Sequence, residues 1–424
     1  MKNFLNKLFL HSTNHDHISF AIKELILKTQ VNKIFNMINN FSEESEIRFV
    51  GGCVRKMIQR ENIDDIDLAT NLNPEEVSSI LKKNDINYFE TGIQHGTITA
   101  IINDHKFEIT SLREDVNTFG RHAEVKFSKD WKKDASRRDF SINAIYADIN
   151  GNLFDPFGGK KDLELGIIKF IGDPEKRINE DYLRILRYLR FFLIYSKINH
   201  DQKLLKILKK NLNGISLLSK DRLLNELKKI IKSGVLNKLS NDKFCSELIK
   251  IIIPQLKNIK IFKKPNYFAK LKLDECDFIF LLSLLVIDET DNVDYFIYKF
   301  NLSNNDQKRL KTINNFFHQK LSPSLFTEKN LNKLFYYNGK QAVIDVLSYR
   351  LFILKKTDEK LIQLLETFKK KTLPIMPINA KILMSEFNIP EGKILGSKLK
   401  KIEEMWVSNN FRLSNEQINK ILSN

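Results

Sequence analysis

Cysteine is scarce in this chain. Cys53, Cys245 and Cys276 lie far apart and without C-x-x-C spacing, which argues against a disulfide framework or a zinc knuckle and fits a reducing compartment. No apolar run has the length needed to cross a bilayer, and the most apolar one, 278-FIFLLSLLVI-287, is bounded by acids and is expected to be a buried helix. The opening segment MKNFLNKLFLHSTNHDHISFA breaks its short apolar stretch at Asn6, Lys7 and His11 and offers no small-residue cleavage site, so it reads as mature protein. A cytoplasmic protein with no membrane association is therefore expected. No internal repeat is visible, and glycine thins out after about residue 165.

Positive charge is abundant. Lys+Arg number 69 against 52 Asp+Glu, a formal charge of +17, which favours a polyanionic partner through counterion release. Charge does not choose between nucleic acid and acidic membrane, and a lysine-rich genome contributes to such a balance. With 424 residues the chain has room for roughly two to four domains.

The first 160 residues alternate strand-like and helix-like segments. The run 47-IRFV-50 ends in Gly51 and Gly52, 53-CVRKMIQR-60 reads as a short helix, and 65-DIDLAT-70 reads as a strand. Two further strands, 97-TITAII-102 and 106-KFEITSL-112, are spaced for a hairpin and are expected beside the acid-bearing strand. Beyond about residue 165, segments such as 180-EDYLRILRYLRFFLIY-195 and 221-DRLLNELKKIIKSG-234 carry helical periodicity, with joints at 211–216, 301–306, 320–324 and 372–377.

Asp65 and Asp67 are one residue apart on an expected strand, so both carboxylates leave from one face while Ile66 leaves from the other. Their repulsion is relieved by a divalent cation, and Mg²⁺ typically takes one or two carboxylates plus phosphate oxygens. A solvated acidic loop has the same local sequence. The turn in 50-VGGCVR-55 lets backbone N–H groups and a helix N-terminus approach phosphate, with Arg55 adding a positive contact, although a Gly-Gly pair also serves as a plain tight connection. Glu108 alternates with Phe107 and Ile109, which suits either a third acid for two-metal nucleotidyl transfer or an ordinary solvent-facing strand residue.

Together these residues resemble the tRNA nucleotidyltransferase and poly(A) polymerase family, in its bacterial and eukaryotic class. The resemblance runs in order through 51-GGCVR-55, 65-DIDLAT-70, 137-RRDFSINA-144, 154-FDPFGGKKDL-163, 180-EDYLRILR-187 and 216-SLLSKDRLLNEL-227, and continues more weakly through 377-PINAKILM-384 and 389-IPEGKILG-396. It implies an α+β fold: a polymerase-beta-like head with a small mixed sheet, then an all-helical neck, body and tail. The expected boundaries are 25–165 for the head, 166–235 for the nucleotide-selecting neck, 236–345 for the body and 346–424 for the RNA-binding tail.

The resemblance implies that Gly51, Gly52 and Arg55 hold the triphosphate, that Asp65 and Asp67 hold Mg²⁺, and that Glu108 supplies a third carboxylate. Arg138 and Asp139 are expected at the ribose end, with Asn143 also in the nucleotide site, and Asp181 and Arg184 are expected to read the base of CTP and ATP, with Arg187 in the same pocket. Residues three apart on one helix are neighbours, so a carboxylate and a guanidinium can meet one base edge together, although the same spacing describes an ordinary surface ion pair. The segment 113-REDVNTFGRHAEVKFSKDW-131 resembles the flexible loop that lets complete enzymes switch from C to A, and 154-FDPFGGKKDL-163 resembles a connector that flexes between additions. Basic runs at 206–210, 228–232 and 369–371 are expected along the RNA. One departure stands out: Lys56 follows Arg55 where the family usually has an acid.

The implied reaction is template-independent addition of C, C and A to tRNA from CTP and ATP with release of pyrophosphate. Poly(A) synthesis, partial CC or A addition, and a catalytically silent RNA-binding module are the alternatives. The sequence leaves the oligomeric state open.

Overall fold

Alternation of apolar and polar side chains along 47–50, 66–70, 97–102 and 105–111 gives each segment one face to bury, and all four join one sheet. The computed structural model describes residues 14–119, 122–318 and 323–423; the N-terminal reading through residue 13 and the joint at 320–322 lie outside them. Two compact units divide the chain, Met1–Leu223 and Leu224–Asn424.

The first unit opens with helices α1 (Asn14–Thr29) and α2 (Asn32–Asn39), followed by β1 (Ile47–Val50), α3 (Gly52–Gln59), β2 (Ile66–Thr70) and α4 (Pro74–Lys83). Strands β3 (Asn87–Gly92), β4 (Thr97–Ile102) and β5 (His105–Ser111) come next, then the pair β6 (Arg113–Phe119) and β7 (His122–Phe127), helix α5 (Trp131–Ser136), and the short strands β8 (Tyr146–Ala147) and β9 (Leu153–Phe154). The seven-stranded sheet has the order β3-β4-β5-β2-β1-β8-β9. Its single parallel pair, β2 with β5, places the acid-bearing strand at the centre, between β1 and β5. Asn103 and Asp104 both adopt positive φ at the expected β4–β5 hairpin, as a two-residue turn of this kind requires.

One face of the sheet packs Phe49, Ile66, Leu68, Phe107 and Ile109 against Ile34, Phe35, Val54 and Leu81 from the helices, with Phe35 and Phe49 rings 4.8 Å apart. Burying that face leaves Asp67 and Glu108 on the other. Within the segment expected to be a flexible loop, residues 113–119 and 122–127 pair antiparallel as a separate two-stranded sheet of β6 and β7.

The unit continues with α6 (Gly159–Leu165), α7 (Pro174–Glu180), α8 (Leu183–Tyr195) and α9 (Gln202–Lys210), and reaches α10 (Lys220–Lys232). In the second unit every labelled element is helical, and Phe278–Val286 is buried along its whole length, as its composition requires. Among the described residues no helix is long and apolar enough to cross a membrane.

Gly159 is where backbone closeness decides the residue. A Cβ there would lie 2.1 Å from the Ser141 carbonyl oxygen and 2.6 Å from its carbon, so α6 can seat against the 141–143 turn only with glycine. Asp155 holds the same corner by accepting from the Gly159 and Lys160 N–H groups at 2.7 and 2.8 Å. The glycine in this connector therefore serves packing. Gly159→Ala is expected to lower unfolding stability by about 1–3 kcal/mol through overpacking, measured by urea titration; an unchanged midpoint would contradict this reading.

Candidate active site

Parallel pairing of β2 with β5 sets Asp67 directly opposite Glu108 in register, and Asp65 sits at the bend that leads into β2. Among the described residues none of the three carboxylates makes a hydrogen bond or ion pair. Burial raises the Asp67 pKa most, the charges of Glu108 and Asp65 raise it further, and Arg138 and Arg55 oppose them, leaving it at about 6. A half-buried carboxylate that resists losing its proton beside two other acids is a set of hard oxygen donors suited to a divalent cation.

The N-terminus of α3 closes this acid cluster. Gly51 has φ +67°, a conformation that L side chains rarely adopt, and it turns the chain from β1 into the helix. A Cβ on Gly52 would lie 3.5 Å from Asp67 Oδ2, and one on Gly51 would lie 3.5 Å from Arg138 Nη1. Acids, glycine turn and Arg138 are therefore immediate neighbours. An anion bridging them would meet the free N–H groups at a helix start.

Arg138 is aimed from behind by Asp134, a buried carboxylate of α5. Asp134 Oδ2 accepts from Arg138 Nε and Nη2 at 3.3 and 3.1 Å and from the Tyr146 hydroxyl at 2.6 Å, while its Oδ1 accepts from Arg137 at 2.6 and 2.8 Å. Burial opposes ionisation of Asp134, but the two guanidiniums and the Tyr146 hydrogen bond outweigh it and hold the carboxyl well below the usual range. With Nε and Nη2 occupied, Nη1 is the group that faces Gly51.

A second chain of contacts joins four expected residues. Arg55 Nη1 donates to Asn143 Oδ1, Asn143 Nδ2 donates to Asp139 Oδ1 at 2.8 Å, and Arg187 Nε donates to Asp139 Oδ2 at 2.6 Å. Arg55 is buried, 8% exposed, with its guanidinium 4.9 Å from the Phe191 ring centre. Lys56 does not join this chain. It donates to Asp64 at 2.9 Å and ties down the loop before β2, while Asn143 supplies the support for Arg55.

The expectation that Asp181 and Arg184 meet on one helix is corrected. Helix α7 ends at Glu180, Asp181 is extended (φ −154°, ψ 103°), and α8 starts at Leu183. The physical reason is local: Asp181 Oδ1 accepts from the Leu183 N–H at 3.1 Å, the kind of short-range bond that competes with helix continuation. Its Oδ2 accepts from Arg222 at 2.7 Å, and Arg184 Nη1 donates instead to Glu180 Oε2 at 2.7 Å. Arg187 is placed with Asp139.

Asp134, Tyr146, Arg177 and Arg222 were not identified from the sequence. For Asp134 a signal exists, since it stands three and four residues before Arg137 and Arg138 across a helix end. Arg177 also stands three residues before Glu180, but its bonds to the Arg137 and Arg138 carbonyls, like the contacts of Tyr146 and Arg222, span separations that no local pattern reports.

Residues 47–169 match the family model described as Poly A polymerase head domain, and residues 272–422 match that of tRNA nucleotidyltransferase domain 2. The CCA-adding enzyme of Staphylococcus aureus (strain MRSA252) is 30% identical over 392 residues, 88% of this chain and 92% of that protein. The mitochondrial CCA tRNA nucleotidyltransferase 1 of Danio rerio is 28% identical over 450 residues, 98% of this chain and 99% of that protein. A crystal structure of the Bacillus stearothermophilus CCA-adding enzyme in complex with CTP superimposes with a TM-score of 0.68 at 22% identity, covering 92% of this chain and 95% of that one.

Burial opposes ionisation of Asp139, but Arg187, Asn143 and Arg184 outweigh it and bring its pKa from 3.8 down to about 2. Because the folded value is the lower one, the stability this carboxylate contributes is fully present above pH 3.8 and is lost as pH falls towards 2. Urea midpoints measured across that window are expected to fall more steeply for the parent protein than for Asp139→Asn. Equal slopes would contradict the pairing.

Proposed function

The chain belongs to the CCA-adding tRNA nucleotidyltransferase family and has that activity, and on this premise we propose how its residues divide the work on a tRNA 3′ end, CTP and ATP. The observation that carries the assignment is the set of three carboxylates without a hydrogen bond or ion pair among the described residues, with Asp67 against the start of α3. In the reaction the terminal 3′ hydroxyl loses its proton, its oxygen bonds the α-phosphorus, and the bond to the β-phosphate breaks to release pyrophosphate. Mg²⁺, when bound, supplies positive charge that acidifies the attacking hydroxyl and neutralises the leaving pyrophosphate.

Asp65 and Asp67 hold that ion in our reading, with Glu108 as the third acid. The Gly51–Gly52 turn, through the Gly52 N–H at the start of α3, and Arg55, whose Nη2 lies beside Gly52, bind the triphosphate, with the Nη1 of Arg138 facing the same turn. Arg138 and Asp139 meet the ribose end, with Asn143 and Arg187 bonded to Asp139. Cytosine and adenine both present an exocyclic amino donor beside an unprotonated ring nitrogen, which suits an acceptor from Asp181 and a donor from Arg184. Guanine and uracil present the reverse pattern and leave both groups unpaired, a mismatch that penalises them more than a missing apolar contact would. Arg184 is equipped for this role, because its bonds to the described residues use Nη1 alone.

The β6–β7 hairpin is the segment to which we assign the switch from C to A. Head, neck, body and tail over 25–165, 166–235, 236–345 and 346–424 remain our division of labour, with the basic runs at 206–210, 228–232 and 369–371 along the RNA backbone.

Incubation with tRNA lacking its terminus, each NTP and Mg²⁺ is expected to give C, C and A and then stop; continued addition of one nucleotide, or arrest after CC, would contradict the reading. Asp67→Ala is expected to cut kcat by about a thousandfold or more, the equivalent of several kcal/mol of lost charge stabilisation. tRNA binding, measured by filter retention, is expected to survive in that variant; retained turnover would remove Asp67 from the reaction centre.

A further inference from the structure

Arg177 lies outside every stretch assigned to nucleotide binding, yet its side chain reaches two parts of the site at once. Its Nη2 donates to the main-chain carbonyls of Arg137 and Arg138, at 2.9 Å for the latter. Its Nη1 donates to Glu180 Oε2 at 2.5 Å. The same Glu180 oxygen accepts from Arg184 Nη1 at 2.7 Å, and that nitrogen also donates to the Arg177 carbonyl at 2.5 Å. Side chain and main chain of one residue therefore grip the segment before Asp139 on one side and the guanidinium of Arg184 on the other.

The consequence for Arg184 is geometric. Both of its bonds fall on Nη1, so its Nε and Nη2 keep no hydrogen-bond partner among the described residues. A guanidinium is planar, and fixing one nitrogen on two groups restricts the direction in which the free edge points. Two guanidiniums share one carboxylate oxygen, which leaves net positive charge beside that edge and favours an electron-rich partner such as a ring nitrogen or carbonyl of a base. Asp181, the other base-reading group, is held separately by Arg222 and the Leu183 N–H. Donor and acceptor are thus aimed independently, and the tie to Arg137 and Arg138 relates the donor to the ribose end.

We propose that Arg177 is a positioning residue for base selection: through Glu180 and its own carbonyl it holds Arg184 in register with the segment that carries Arg138 and Asp139. This inference rests on the reading of Asp181 and Arg184 as the groups that read the base. Lysine cannot replace arginine here, because one ammonium cannot span Glu180 and two main-chain carbonyls with a rigid fork. A loosened Arg184 turns to meet the carbonyl of uracil or guanine as well as the ring nitrogen of cytosine or adenine, so the loss appears as selectivity before it appears as turnover.

The test measures kcat/KM for CTP against UTP on tRNA lacking CCA, and for ATP against GTP on tRNA ending in CC, in the full chain with Mg²⁺. Arg177→Lys is expected to narrow both ratios by about tenfold or more, chiefly by raising the values for UTP and GTP while those for CTP and ATP change less. Glu180→Gln is expected to narrow the same ratios, and the double variant to go little further than either single one, because both act through Arg184. A purely structural role lowers all four nucleotides by a common factor with the ratios intact, and that result, or additive losses in the double variant, would overturn the proposal. If Arg177→Lys does not fold, the ratios of Glu180→Gln decide alone. Arg184→Ala separates the two levels: preserved ratios in that variant would sink the base-reading assignment and this inference with it, whereas collapsed ratios there with intact ones in Arg177→Lys would sink only the inference.

Discussion

Repulsion between negative charges that the fold forces together is the constraint on which this molecule depends. Parallel pairing of β2 and β5 leaves Asp67 no choice but to face Glu108, and the bend before β2 brings Asp65 into the same field. Burying the opposite face of those strands supplies the energy for the arrangement: Ile66, Leu68, Phe107 and Ile109 cannot reach the core unless the acids take the other side. A one-residue slip of either strand would reverse both faces, so the same alternation that builds the core also builds the acid cluster.

A contrast in charge pairing separates the proposed reaction centre from its surroundings. Asp134 is matched by Arg137 and Arg138, Asp139 by Arg187, Asp181 by Arg222, and Glu180 by Arg177 and Arg184. Asp65, Asp67 and Glu108 alone among these acids have no such partner among the described residues. Buried carboxylates that carry structure are neutralised in place, whereas those proposed to hold a cation are left with their oxygens free. The guanidiniums follow the same logic in reverse, since Arg138 and Arg184 are each secured on some of their nitrogens and, among the described residues, keep others without a protein bond.

Much of the head was legible in the sequence because its signals are local. Period-two alternation marks β4 and β5, Asn103 and Asp104 mark their turn, and Gly51 before a helix marks the corner proposed to face phosphate. Asp181 and Arg184, the pair proposed to read the base, were legible as residue types and misread as geometry. Helical periodicity from 180 to 195 hides a break at Asp181, whose carboxylate bonds the Leu183 N–H and stops α7 there. Support residues were the least legible. Arg177 meets carbonyls 39 and 40 positions earlier, and Arg222 meets an acid 41 positions earlier, relations that only the folded chain creates. Lys56 shows a subtler limit: a residue that departs from the family pattern finds an ion pair with Asp64, and Asn143 takes over the support of Arg55.

The central claim is that Asp67 is crowded by uncompensated negative charge that a divalent cation relieves, and a site-resolved carbon NMR titration of its carboxyl tests this most directly. Without divalent metal the carboxyl is expected to titrate near pH 6, and saturating Mg²⁺ is expected to bring its midpoint down into or below the ordinary carboxylate range. An ordinary midpoint that does not move when Mg²⁺ is added would contradict the account.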